Sequence, residues 1–453
     1  MLNLLNAIIN LPPADFGEGL NWLGRIIQWI VEIVPNIGLG IVLFTLILKV
    51  ITLPLDIYSK ASMRKNSLKM EKMRPQLEKL QKQYQNDQKM YNQKMMEMYK
   101  KNGYSMFGAC LPMIVTLVVF MIVLGAFSDY SDFTNVDTYR RMTVSYNEAV
   151  LAYAPDLETV SPSVTYERGN ANEEGKVTYT RIETYNDENS LVTVTITRVA
   201  QFDAGLTDEQ LNGQDWSAAA AASPTYYVKT AQVLASTDET VVQAVAWARE
   251  NGEAENVNVS NDDDLAALAM RRVGRNAAEA EYREGRNRFL WVKNIWLPDT
   301  SYNHPVQLEP GVEESLYNEI TANLGAEKGA ANGYYILIVI SIGTMFLSQF
   351  ITSRSQKAQN ELQTADGRGQ KTQKVMMVIM PVMFGIFSFF YSAAFSIYMV
   401  TSNVFGILST VTTNVVIDKK FRKIEEREIQ EKYNKRIPHA ERKTDERNGG
   451  KKK

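Results

Sequence analysis

Lys49 lies near the centre of Gly40–Leu55, a stretch apolar enough to enter a bilayer. Thr45, Lys49, Thr52 and Asp56 recur at i, i+4, i+7 and i+11. On a helix these four share one face, and the other faces are apolar. A lysine at mid-membrane costs about 3 kcal/mol on insertion scales, so such residues usually face a bundle interior or a water-filled cavity. Snorkelling to the interface is the alternative, and the central position of Lys49 disfavours it. The chemistry offered is electrostatic: a cation in a polar stripe that attracts an acidic group.

Covalent chemistry has little material. Cys110 is the one cysteine, so no internal disulfide framework or cysteine metal cluster is available. His304 and His439 are the two histidines, and both lie in polar surroundings. Imidazole catalysis and zinc binding therefore lack ligands. The polar segment after residue 128 contains no Ser/His/Asp, HExxH or phosphate-loop pattern. The sequence predicts neither an enzyme nor a cofactor or metal site.

The elements that must hold the stripe follow from hydropathy. Five segments read as membrane spans: 39–58, 105–128, 334–351, 375–392 and 394–416. Residues 1–38 read as an anchor fragment followed by a helix in which Leu20, Leu23, Ile26, Ile27, Ile30 and Val34 recur at helical spacing. With Trp22 and Trp29 added, that helix suits the interface plane of a membrane; ordinary core packing is the other reading. Residues 59–104 predict an antiparallel helical hairpin with Gln85–Gln88 at its turn. Residues 129–288 alternate β-branched and polar residues over 164–167, 176–185 and 191–200, then turn helical over 238–251 and 262–284. A connecting segment at 289–333 leads to the third span, 352–374 is a polar loop, and 417–453 is a basic tail. The fold class expected is an all-α polytopic membrane protein with a five-helix core and a cytoplasmic hairpin, plus a small α+β extracytoplasmic domain.

Charge is strongly segregated behind a net charge of −2. Residues 59–104 hold twelve Lys or Arg against four acids, and residues 128–333 hold sixteen against thirty-three. The tail is basic again and ends Lys451-Lys452-Lys453. The three basic loops fall on one side of a five-span chain, which the positive-inside rule makes cytoplasmic. The acidic segment then lies outside. The basic excess suits anionic lipid headgroups or ribosomal RNA. Met63, Met70, Met90 and Met96 of the hairpin suit capture of varied apolar segments. Those at 3–4 spacing also suit the seam between its helices, whereas Met90 and Met96 fall outside that seam.

Several motifs together resemble the YidC/Oxa/Alb-type membrane protein insertases. They are Thr52-Leu53-Pro54-Leu55, Ser62-Met63-Arg64-Lys65, Met73-Arg74-Pro75-Gln76-Leu77 and Gly108-Ala109-Cys110-Leu111-Pro112. Phe289-Leu290-Trp291 with Leu297-Pro298-Asp299, Met380-Pro381-Val382 and Tyr398-Met399-Val400-Thr401-Ser402-Asn403 extend the series. The resemblance covers residues 16–127 and 289–420. It implies a hydrophilic groove open to the cytoplasm, centred on Lys49, through which nascent membrane proteins enter the bilayer. Thr45, Thr52, Thr116, Gln349, Ser402 and Asn403 are candidate lining residues, with Thr344, Ser348 and Ser396 beside them. A local bond to the residue's own helix is the competing role for each hydroxyl. The chain departs from the family in having Lys49 where an arginine is usual, Thr116 and Leu117 where Gln and Pro are frequent, and a large insertion at 129–288.

The function expected is that of a membrane protein insertase and chaperone in the bacterial plasma membrane. Its partners would be nascent membrane proteins and the lipid bilayer, with the ribosome at the basic tail, the Sec translocon, and an unidentified partner of the outer domain as further candidates. A membrane-anchored, receptor-like protein acting through 129–288 is the second reading.

Overall fold

A computed structural model describes residues 8–9, 11–12, 19–103, 107–172, 175–285, 288–300, 313–355 and 368–436. The chain divides into two compact units. One comprises 1–19, 132–286 and 302–330; the other comprises 20–131, 287–301 and 331–453.

The second unit is helical. Helix α1 (Trp22–Glu32) is capped by the Asn21 side chain, which accepts from the Gly24 amide at 2.7 Å. Its Ile27 and Val31 are fully buried, whereas Trp22 and Trp29 are exposed. The helix therefore has two apolar faces, one packed and one open. Helix α2 (Ile37–Gln83) begins at an Asn36 cap. A Cβ on Gly40 would collide with the Val31 carbonyl, so glycine is what lets α1 lie tight against α2. Pro54 and Pro75 lie inside α2 and leave the carbonyls of Val50 and Glu71 without helical partners.

Helix α3 (Gln88–Lys101) follows a short turn, capped by Asp87, and folds back on α2. Met70, Met73, Leu77 and Tyr99 are buried between them, with Met95 and Met98 at the rim. Helix α4 (Phe107–Leu151) carries residues of both units. Helices α11 (Ile336–Ser355), α12 (Arg368–Phe390) and α13 (Ala393–Arg436) complete this unit. Helix α13 packs against both α2 and α11, and α12 packs against α11.

Three helices among the described residues are long and apolar enough to cross a membrane: Ile37–Gln83, Ile336–Arg354 and Ala393–Glu431. Pro381–Phe390 is a shorter apolar helical stretch. Val50, Ile51, Val339, Ile386, Phe390 and Val411 point outward from these helices. Such unpartnered apolar faces belong in hydrocarbon rather than in water.

The loop Phe289–Asp299 ties the ends of these helices together. Ala393 and Ala394 at the start of α13 donate to the carbonyls of Leu297 and Ile295, each at 2.8 Å. Ser131 Oγ on α4 donates to the Trp296 carbonyl at 2.7 Å. Asn332 Nδ2 donates to the carbonyls of Asn294 and Pro298, and Asn332 Oδ1 accepts from the Asn294 amide. The fully buried Asp299 carboxylate accepts from the amides of Leu337 at 2.6 Å and Ile338 at 3.4 Å. It is thus an N-terminal cap for α11 from a residue 38 positions earlier than Leu337. Gly333 has room for no side chain, because a Cβ there would strike Asp299 Oδ1.

The first unit holds a five-stranded antiparallel sheet in the order β1-β5-β4-β3-β2. The strands are β1 (Ile8–Ile9), β2 (Ser163–Ala171), β3 (Lys176–Tyr185), β4 (Val192–Asp203) and β5 (Thr225–Val228). Ile8 and Ile9, expected within an anchor fragment, instead form an edge strand paired with Tyr227 and Tyr226. After the short helices α5 (Asp208–Asn212) and α6 (Thr230–Leu234), helix α8 (Asp262–Glu284) packs against β1 and β5, and α7 (Glu239–Asn251) packs on α8 and α6. Val192, Val228, Val241, Leu265, Leu268 and Met270 form the core with Tyr139, Met142 and Tyr146 from α4.

Residues 302–330, expected in a connecting segment, belong to this unit. Helix α9 (Glu314–Ile320), with the short helix α10 (Gly325–Lys328) after it, explains why. Tyr317, Ile320 and Leu324 enter the core, and Glu319 pairs with Arg275 at 2.7 Å and also with Arg271. Burial pushes the Glu319 carboxyl up, but the two guanidiniums outweigh it and hold it at about 2.

Two outcomes follow for the full chain in detergent. Glu319→Gln leaves the buried Arg275 with Glu255 but without its bidentate acidic partner and destabilises the sheet-bearing unit by about 3 kcal/mol, read as loss of amide protection over α8 and α9. Because the Glu319 pKa is depressed, its contribution is complete above the ordinary Glu range and falls away as pH drops toward 2; the variant lacks that acid sensitivity. Asp299 behaves oppositely. Burial pushes its carboxyl up to about 6 against the two amide bonds that pull it down. Its folded form binds the proton more tightly, so wild-type stability falls as pH rises from about 4 to 6. Asp299→Asn should remove that slope in thermal melts; an identical slope in both proteins refutes the assignment.

Candidate functional site

The polar stripe of α2 lies in the helical unit. Thr45 is fully buried and its Oγ1 donates to the Ile41 carbonyl at 2.7 Å. Thr52 is half-buried and donates to the Leu48 carbonyl at 3.0 Å. Both hydroxyls return their protons to α2 itself, so of the two roles open to them the local bond is formed. Their lone pairs still leave the stripe polar. Lys49 and Asp56 are half-buried on this stripe.

The stripe continues one turn beyond Asp56. Lys60 Nζ donates to Thr410 Oγ1 of α13 at 3.1 Å. The Asp56 carboxylate acts electrostatically on Lys49 on one side and Lys60 on the other. Lys60 and Thr410 were not anticipated as site residues. The signal for Lys60 was present, since 49, 56 and 60 keep the 7 and 4 spacing of one helical face.

The other candidates fall on α11 and α13. Asn403 Nδ2 donates to Thr344 Oγ1 at 3.3 Å, which joins these helices, and Thr344 in turn donates to the Ser341 carbonyl at 2.9 Å. Ser348 faces Gly406 of α13, where even an added Cβ would stand in ordinary van der Waals contact with Ser348 Oγ. Gln349 and Ser402 are half-buried on the same two helices. Ser396 is fully buried, and its Oγ has no hydrogen-bond partner among the described residues. Ser409, Thr410 and Thr413 are buried along α13. Thr116 belongs to α4, and its side chain lies outside the described residues.

The hairpin methionines divide. Met70 is buried in the seam between α2 and α3, whereas Met90 is half-buried and Met96 is exposed. The side chain of Met63 lies outside the described residues, as do the loop at 356–367, His304, and the tail from 437 with His439. Among the described residues no cluster of three or more His, Cys, Asp or Glu is placed to hold a metal ion.

The arrangement provides a cation, an acid and several hydroxyls and amides on helices whose outward faces are apolar. It can attract and partly solvate charged or polar groups at a depth where lipid cannot.

Comparison with known proteins bears on the family to which the chain belongs. Residues 29–204 and 268–420 match the family model described as 60Kd inner membrane protein. A protein of Leptospira interrogans named membrane protein insertase YidC is 32% identical over 151 residues, 33% of this chain and 22% of that protein. One of Caldanaerobacter subterraneus subsp. tengcongensis with the same name is 30% identical over 113 residues, 25% of this chain and 53% of the relative. The Enterococcus faecalis protein of that name is 28% identical over 131 residues, 28% and 47% of the two chains. The match thus spans from about a fifth to about half the length of these relatives. With the family model matching well over half of its residues, and with the polar stripe, hairpin and candidate spans inside the matched regions, this chain belongs to the 60Kd inner membrane protein family, among relatives named YidC insertases.

Proposed function

We propose that this protein inserts membrane proteins into the bacterial plasma membrane through a hydrophilic groove centred on Lys49. The observation that carries the reading is the half-buried Lys49 on a polar stripe of a helix long enough to span. Moving a hydrophilic segment through hydrocarbon leaves backbone and charges unsatisfied, at several kcal/mol each. A groove with one cation and a lining of hydroxyls and amides shortens the apolar distance such a segment must cross. Nothing is cleaved or transferred in that process, so no catalytic residue is required.

In this reading the core has five spans, the three described candidates with 105–128 and 375–392 added. The basic hairpin, the 352–374 loop and the tail face the cytoplasm, in accord with the positive-inside rule. Substrate segments would meet the hairpin first, where Met96 offers exposed apolar surface. The basic tail would contact the ribosome. Action beside a Sec translocon and a partner for the sheet-bearing unit are further parts of the proposal.

Lys49→Ala or Lys49→Glu should lower insertion of substrates with acidic outer segments several-fold in reconstituted vesicles, and Lys49→Arg should largely retain it. Equal yields for the three variants at matched protein levels would sink the groove. Truncation after Lys420 should weaken ribosome co-sedimentation, most at low salt, since phosphate contacts are screened as ions are added. An unchanged profile across ionic strength counts against a ribosome-binding tail.

A further inference from the structure

Lys49 and Asp56 are the two charged side chains within 39–58, 105–128, 334–351, 375–392 and 394–416 taken together. Both stand on one face of one helix, seven residues apart. At the rise of an α-helix that separation is about 10 Å along the axis. The Asp56 carboxylate is half-buried, and its field reaches Lys49. Lys60, the next cation along the face, is engaged by the Thr410 hydroxyl of α13 at 3.1 Å. Within the spanning segment the stripe is therefore not a lone cation but a pair of opposite charges, positive at Lys49 and negative at Asp56, with the Lys60 cation one turn beyond on the hairpin side.

We propose that Asp56 is a specificity-determining residue which makes the groove dipolar, selecting segments with an acidic residue opposite Lys49 and a basic residue opposite Asp56. This rests on the insertase reading above and deepens it. In an extended segment the matching charges lie about three residues apart, since each residue advances about 3.3 Å. The basic member sits toward the cytoplasm in the proposed orientation, where basic flanks are retained in any case. A segment of reversed order places like charges together at both positions, which is the repulsive element that discrimination requires. Charges of one sign at these two depths are poorly screened, because apolar surroundings strengthen every electrostatic contact.

The test uses the full chain in vesicles and three otherwise identical single-span substrates. One carries an acid then a base toward the cytoplasmic side, one carries the reverse order, and one is uncharged. The wild type should insert the first about two- to fivefold better than the second, the range for a partly exposed ion pair. Asp56→Asn should reduce that ratio toward the effect of Lys49 alone, and Asp56→Glu should restore it. Lys49→Asp combined with Asp56→Lys should invert it. An unchanged ratio in Asp56→Asn, with Lys49→Gln still impairing the acidic substrate, overturns the dipolar groove and leaves the insertase reading standing. Failure of the wild type to insert even the uncharged substrate overturns both.

Discussion

The constraint on which the helical unit depends is the desolvation of two charges carried by one helix. Lys49 and Asp56 stand on α2 among residues whose outward neighbours, such as Val50 and Ile51, are exposed and apolar. Ions at such a depth are tolerable only beside protein polar groups or water. The rest of the unit supplies those groups economically. Thr45 and Thr52 satisfy their own hydroxyl protons one turn back, so they present acceptors without leaving a donor unmet. Asn403 and Thr344 bind each other across α11 and α13. Lys60 is held by Thr410. The Lys60–Thr410 bond links α2 to α13, and the Thr344–Asn403 bond links α13 in turn to α11, so polar pairing and helix packing run through the same residues.

A second constraint acts at the ends of the helices. The backbone of Phe289–Asp299 is irregular, yet it sits against buried surface, where unpaired amides and carbonyls are costly. Its carbonyls are met by Ala393, Ala394, Ser131 and Asn332. Asp299 meets the first amides of α11 in return. The loop that needs partners therefore also fixes the entry of α11 and α13.

Much of this was readable from residue types and spacing. The hairpin followed from the 3–4 apolar spacing and the polar turn at Gln85–Gln88. Strands β2, β3 and β4 lie where alternation placed them, and α7 and α8 begin where acids open an apolar repeat. What escaped was non-local. Ile8–Ile9 is two residues long, and only its pairing with Tyr226 and Tyr227 makes it a strand. The membership of 302–330 in the sheet-bearing unit depends on Glu319 meeting Arg271 and Arg275 more than 40 positions away. Asp299 reads as an ordinary acid after a proline until Leu337 and Ile338 are seen above it. Among the candidate groove residues, the shared face of Lys49 and Asp56 was plain from periodicity, but the Lys60–Thr410 contact spans 350 residues and no pattern announces it.

The methionines show why one residue type does not imply one role. Met70 and Met73 lie between α2 and α3 and cannot touch a third body without opening the seam. Burying them against Leu77 and Tyr99 is what holds a hairpin whose remaining surface is strongly cationic, because the like charges alone would drive its helices apart. Met96 is exposed on α3. A flexible, polarizable side chain in that position adds adaptable apolar surface to a charged arm without loosening its core. Stability and any capture of apolar segments are thus divided between the seam and the outer face of the same hairpin. Changes on the outer face can alter what the arm meets while the seam keeps its shape.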